Sequence, residues 1–265
     1  MYSPILLQEN FHTHTHRCHH ATGTVADYAR FAAQKGALNL GISDHTPLPD
    51  HRWPDVRMGL ADLPDYIDEI RQAALLYPQI RFYKGLECEY APEYESFYRE
   101  ELLEHHQMDY LIGGAHYFPY RGAWQDVYGG IQNKSELLAY TNYVIDTLQS
   151  GLFLFMAHPD LFANSYLKWD KEAIACSTAI LQAASQAGVA LEINGYGFRK
   201  PWLSAPHRPL YPLREFWELA AHFDVSVVIN SDAHTPRDVL SSLEDCLCLA
   251  HDFSLRVVSL SSLLL

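Results

Sequence analysis

Apolar runs rich in β-branched and aromatic residues recur at 5–11, 38–42, 80–86, 110–115, 152–157, 189–193 and 225–229, and predict seven strands. Helical patterns lie between them: 25–35 behind Thr24, 63–76, 93–105, 136–149 behind Ser135, 171–187 behind Asp170, and 213–222 behind Pro212. Thr, Ser and Asp stand where a helix start needs a cap, and Pro where it needs no N–H. A last helix at 236–251 and a short strand at 255–258 complete the chain, and 259–265 reads as an exposed end or a final helical turn. Strand and helix thus alternate seven times. The strands are apolar throughout rather than on alternate residues, so both faces are covered, which predicts a parallel α/β sheet closed into a barrel. No Gly/Ser/Pro-rich linker, repeat or low-complexity tract divides residues 1–265, so one domain is expected.

Composition narrows the partners. With 48% hydrophobic residues the chain can bury a large core. A net charge of −13 argues against a nucleic-acid or membrane-surface role, because neutralising phosphates requires Lys and Arg. A small-molecule substrate fits better, and the sequence is compatible with a homo-oligomer. Five scattered cysteines without a Cys-x-x-Cys pair make poor material for a disulfide framework and point to a reducing, cytoplasmic setting. Cys246 and Cys248 are expected to pack as small apolar groups rather than to bind a soft metal. Met1-Tyr2-Ser3-Pro4 lacks the basic region of a signal peptide, and 152–157 is too short to span a bilayer.

The chemistry lies in the histidines. Residues 11–20 hold five of them, and His12 and His14, two apart on an extended chain, present both imidazoles to one side. Asp44-His45, Glu87, His116, His158 and Asp232-Ala233-His234 each follow an apolar run. All fall where a parallel barrel gathers its functional loops, at the C-terminal ends of the strands. That pattern predicts a hydrolase with several metals.

Taken together, His12-Thr13-His14, His20, 41–47, Gly85-Leu86-Glu87, 109–116, Ala157-His158-Pro159-Asp160, Glu192-Ile193-Asn194 and 230–234 resemble the PHP (polymerase and histidinol phosphatase) superfamily over nearly the whole chain. Arg17-Cys18-x-His20, Asp62-Leu63-Pro64 and Gly197-Phe198-Arg199-Lys200-Pro201 look like its monofunctional histidinol-phosphate phosphatases. The resemblance implies a distorted (β/α)7 barrel with three divalent metal ions. One would take His12, His14, Glu87 and Asp232; the second would share Glu87 and add His116 and His158; the third would take His20, His45 and His234. Such mixed N/O sets suit zinc, iron or manganese better than magnesium or calcium. A water between two cations then loses a proton near neutral pH and attacks phosphorus in line with the leaving oxygen.

Arg199 is the leading candidate for a forked contact to phosphate, ahead of Lys168 and Arg208. Asp44 or Asp160 is placed either to protonate the leaving alkoxide or, as the more favoured role, to orient His45 and His158. The loop Trp124-Gln125-Asp126-Val127-Tyr128 after His116 offers aromatic and acidic groups to receive an imidazole or ammonium, Asp126 foremost, and the segment 202–210 departs from the family pattern. His16 and His19 do not match the ligand spacing, although His19 is a substitute for His20. His51, His105, His106, His207, His222 and His251 read as loop or surface histidines. Glu89 faces the same side as Glu87, with Cys88 pointing away. The expected activity is metal-dependent hydrolysis of L-histidinol phosphate to L-histidinol and phosphate. Its rivals are another small phosphate ester or nucleotide as substrate, an amidohydrolase with a bridging modified lysine, and a non-catalytic metal-binding scaffold.

Overall fold

In the computed structural model, which describes residues 4–200 and 209–264, the chain forms strands β1 (Glu9–Asn10), β2 (Asn39–Ile42), β3 (Arg81–Glu89), β4 (Tyr110–Gly114), β5 (Tyr117–Tyr120), β6 (Ala123–Asp126), β7 (Phe155–Met156), β8 (Ala190–Asn194), β9 (Ser226–Asn230) and β10 (Arg256–Val257). Eight of them make one parallel sheet in the order β1-β2-β3-β4-β7-β8-β9-β10. β5 and β6 form a separate antiparallel hairpin in the loop after β4. The sheet curls until β1 and β9 meet. There a Thr13–Ala233 bridge closes the ring, with the His14 N–H on the Ala233 carbonyl at 2.9 Å and the Ala233 N–H on the His12 carbonyl at 3.2 Å. β10 pairs only with the start of β9, outside that ring. The seven-membered parallel barrel predicted from the pattern is the fold observed.

Several boundaries differ for physical reasons. Residues 5–7 do not extend β1; Pro4–Leu7 turns as a 3-10 helix, and Ile5, Leu6 and Leu7 pack outward on the helix layer. The segment 93–105 divides into a 3-10 turn, Pro92–Tyr94, and a π-helical stretch, Phe97–His105. Asn133, not Ser135, caps the helix Lys134–Gln149, its side chain accepting from the Ser135 and Glu136 N–H groups while Glu136 closes the capping box. The segment 236–251 breaks at Ser242, whose φ of 62° no helix continues, leaving Pro236–Asp238 and Leu243–Asp252. Helices Leu63–Leu76 and Lys171–Ala187 match the pattern end to end. Among the described residues no helix is long and apolar enough to cross a membrane.

Apolar side chains fill two layers outside the barrel and a smaller interior of Phe11, Tyr83, Tyr110, Ile112, Phe155 and Val228. The interior is closed below by the C-terminal segment. Glu9, buried on β1, accepts from the Leu260 N–H at 2.9 Å and the Ser259 and Ser261 hydroxyls at 3.0 and 2.7 Å. Tyr110 crosses the interior and donates to the Phe11 carbonyl at 2.7 Å. Its ring occupies space vacated by two glycines: a Cβ at Gly41 would lie 2.0 Å from the Tyr110 hydroxyl, and one at Gly85 would lie 2.2 Å from Cζ. These are the glycines that open Gly41-Ile42-Ser43-Asp44 and Gly85-Leu86-Glu87, so the floor of the barrel dictates them.

Gly85→Ala is therefore expected to destabilise the protein by about 1–3 kcal/mol through overpacking. A double-mutant cycle with Tyr110→Ala, read from denaturation midpoints, should give strongly non-additive losses; additive losses would refute the shared-space account.

Candidate metal centre

The buried carboxylate of Glu87, only 1% exposed, is the meeting point of side chains from four other strand ends. Its Oε2 lies 3.3 Å from His12 Nε2, 3.3 Å from His14 Nε2 and 3.2 Å from His45 Nδ1. Its Oε1 lies 3.4 Å from His116 Nε2 and 3.1 Å from His158 Nε2. Asp232 Oδ1 completes the first group, 3.6 Å from His12 Nε2 and 3.3 Å from His14 Nε2. Donor atoms about 2.0–2.1 Å from a common ion stand roughly 3.3–3.4 Å apart in a tetrahedron. The quartet His12, His14, Glu87 and Asp232 has that spacing, and Glu87 offers its second oxygen to His116 and His158. His158 and Asp232 hold positive φ values, 30° and 48°, backbone conformations that non-glycine residues adopt at a cost and that turn both side chains into the mouth.

A third corner forms where His20 Nε2 and His234 Nε2 stand 3.2 Å apart. His45 does not aim Nδ1 at this pair, since that nitrogen faces Glu87, although its ring lies 5.5 Å from His20. Histidines 16 and 19 stay outside: His16 Nδ1 contacts the Gly23 carbonyl, and His19 occupies a left-handed turn.

Hydrogen bonds fix the orientation of the cluster. Glu192, fully buried, accepts from His12 Nδ1 at 2.9 Å, Asn230 Nδ2 at 3.0 Å, Asn194 Nδ2 at 2.8 Å and the His158 N–H at 3.2 Å. Asn194 also donates to Asp232 Oδ2 at 3.0 Å, which leaves Oδ1 free. Glu89 accepts from His116 Nδ1 at 2.9 Å and pairs with Arg57 at 2.9 Å. Each arrangement directs the opposite ring nitrogen or oxygen inward, as metal-binding side chains require. The inward atoms His12 Nε2, His45 Nδ1, Glu87 Oε2 and Asp232 Oδ1 are buried without a hydrogen-bond partner, a costly state unless a cation joins them.

The electrostatics agree. Burial opposes charge on His14, but the Asp232 and Glu87 carboxylates 3.3 Å away outweigh burial and raise it to about 9. Burial likewise opposes charge on Glu87 and Asp232, yet the surrounding histidines hold both carboxyls well below the usual range. His20 is lowered to about 4 by burial and by His14. The centre is short of positive charge at its acidic middle and resists it at its imidazole rim, the balance that neutral histidines around divalent ions satisfy.

The structure commits several of the sequence's candidates elsewhere. Asp44 does not face His45; its oxygens accept from the Thr15 N–H and hydroxyl, both at 2.8 Å, so it braces the first ligand loop, and burial raises its pKa. Asp160 does not orient His158; it accepts from the Leu213 N–H at 2.5 Å and from Trp217 Nε1 at 3.1 Å, fixing a distant loop. Arg199 spends its guanidinium on the carbonyls of Ser231 at 2.8 Å, Asp232 at 3.3 Å and Ser241 at 3.2 Å, tying its loop to the Asp232 turn instead of lining the cavity. Lys168 is exposed on the far side of the loop, and Arg208, with 201–207, lies outside the described residues. Asp126 caps the short helix Val127–Gly130 by accepting from the Gly129 N–H at 3.1 Å, and Trp124 packs on Trp53 and Tyr143, so neither reaches the cavity.

The cavity over the cluster has a volume of about 310 Å³. Its other walls include Arg57, Tyr117, Tyr128, Tyr196, Lys200 and Tyr211. Of these, Tyr128 closes the aromatic and acidic loop 124–128 and Lys200 stands beside Arg199 in the 197–201 motif, whereas the sequence carries no signal for the others. Trp53 backs Tyr117 in a parallel stack at 4.0 Å, which stiffens that wall.

Comparison with known proteins agrees with this geometry. A probable histidinol-phosphatase of Deinococcus radiodurans is 33% identical over 263 residues, 94% of each chain. A probable phosphatase of Shewanella oneidensis is 30% identical over 190 residues, 71% of this chain and 62% of that protein. The crystal structure of histidinol phosphate phosphatase from Lactococcus lactis, complexed with zinc, L-histidinol and phosphate, superposes with a TM-score of 0.73 over 95% of each chain. At 19% identity that likeness speaks to the fold. The PHP domain model matches residues 10–195, and with the Deinococcus relative it establishes that this chain belongs to the PHP family.

Proposed function

We propose that this protein is a metal-dependent phosphomonoesterase that converts L-histidinol phosphate to L-histidinol and phosphate. The observation that carries the reading is the division of Glu87 between two groups, His12, His14 and His45 around one oxygen, with Asp232 beside His12 and His14, and His116 and His158 around the other. Those residues would hold two ions bridged by Glu87. His20 and His234 would hold a third, while His45, turned to Glu87, would join the first group. The donors are imidazole and carboxylate, which suits zinc, iron or manganese. When bound, such ions neutralise phosphate charge and make a nucleophile available from water near neutral pH.

The chain's own groups do the rest. Glu192 and Glu89 keep His12 and His116 in one orientation. Arg57 and Lys200 add positive charge to a cavity otherwise rich in carboxylates, and the tyrosines narrow it. A cavity of about 310 Å³ suits a small phosphate ester, in keeping with the net negative charge of the chain. The relatives named for histidinol phosphate support that substrate.

The deciding experiment is phosphate release by the metal-loaded protein from L-histidinol phosphate, beside p-nitrophenyl phosphate and a nucleoside monophosphate, with His116→Ala as the blank. Marked preference for the first is expected; preference for another ester would discard the substrate and keep the chemistry. Glu192→Gln should weaken metal binding by about 10–100-fold, measured by competition with a chelating dye. Metal content unaffected by that change would remove Glu192 from the account. Chelation should also lower Tm, because ions held only by the folded state stabilise it; a melting curve indifferent to chelator and metal would count against a metal centre.

A further inference from the structure

The leaving group of an alkyl phosphate is an alkoxide, a poor leaving group unless it is protonated as the bond breaks. Asp44 and Asp160 are committed elsewhere. Glu89, despite its burial, is held ionised by Arg57 and His116. Arg57 does not give up a proton in a protein. Burial pushes the hydroxyls of Tyr128, Tyr196 and Tyr211 above the ordinary tyrosine range, which makes them weaker acids still.

Lys200 remains. It is 8% exposed, and its Nζ lies 4.0 Å from the Tyr196 ring centre, 5.3 Å from that of Tyr211 and 5.7 Å from that of Tyr128. Each of those rings rests in turn against a histidine of the cluster: Tyr196 stacks on His234 at 4.4 Å, Tyr211 meets His158 at 6.2 Å, and Tyr128 lies over His116 at 6.5 Å. The ammonium is thus one aromatic layer from the cluster, on the wall of the same cavity. Among the described residues its charge rests on ring faces rather than on a paired carboxylate.

We propose that Lys200 is the proton donor to the leaving oxygen. As the P–O ester bond breaks, the electron pair stays on oxygen and takes a proton from the Lys200 ammonium. The alcohol departs neutral, and the amine recovers a proton from solvent. Burial lowers this lysine to about 8, which brings its ammonium nearer to releasing a proton than that of an exposed lysine. Arg199 then acts as a positioning residue, anchoring the loop that carries Lys200 to the Asp232 turn.

The inference rests on the phosphatase reading, and its test separates the two. Metal-loaded wild type, Lys200→Met and Lys200→Arg are compared on L-histidinol phosphate and on p-nitrophenyl phosphate, whose leaving phenolate needs no proton. Lys200→Met should lose about 10²–10⁴-fold in kcat on the alkyl ester and at least about tenfold less on the aryl ester. Lys200→Arg should fail to restore the alkyl reaction, because guanidinium keeps its proton. Bound metal, measured apart from turnover, should stay within about threefold of wild type. Equal losses on both esters with rescue by arginine would overturn the proposal in favour of a simple charge contact. Wild type inert toward both esters would overturn the phosphatase reading itself.

Discussion

One carboxylate organises the site. Glu87 sits at the end of the longest strand, buried, with five imidazoles converging on its two oxygens from the ends of β1, β2, β4 and β7. An isolated buried carboxylate is prohibitively costly, and even a hydrogen-bonded one needs positive charge nearby. The barrel supplies imidazoles whose inward nitrogens converge on that carboxylate, and this set of donors defines what the site will accept. The surrounding architecture follows from keeping those rings still: Glu192 and Glu89 fix tautomers, and Thr15 is pinned by Asp44. The left-handed turns at His158 and Asp232 redirect the chain as it leaves each strand.

Much of this was legible in the sequence because side-chain direction on a strand alternates with certainty. His12 and His14, two apart, had to share a face, and an acid or histidine closing each apolar run had to point into one mouth. Loops carry no such rule. Asp44 beside His45 and Asp160 beside His158 suggested pairing by adjacency, yet consecutive residues leave a strand end in opposite directions. Arg199 and Lys200 illustrate the same limit: one faces carbonyls, the next faces the cavity, and only the turn between them decides which. The hairpin Tyr117–Asp126 was missed because its residues mix apolar, polar and glycine positions without period. Ile5-Leu6-Leu7 misled in the other direction, apolar because it packs under a helix rather than within the sheet.

The polar second layer explains how so acidic a chain builds this centre. Its surface carries most of the net negative charge, whereas Glu9, Glu87, Glu89 and Glu192 are buried and each is matched by several donors. Glu9 does for the floor of the barrel what Glu192 does for its mouth, joining parts of the chain distant in sequence through one carboxylate.

The seam between β1 and β9 gives the centre a mechanical meaning. Elsewhere the wall is sewn by runs of backbone bonds, but here one bridge and a few side-chain bonds hold the edges, the Phe11 N–H donating to Asn230, the Ser231 N–H to Asn10, and the Tyr28 hydroxyl to the His14 and Ala233 carbonyls. His12 and His14 stand on one lip of this seam, Asp232 and His234 on the other. An ion gripped by both lips would act as a rivet in a hoop, so that the barrel's circumference and the loading of its catalytic centre become a single variable.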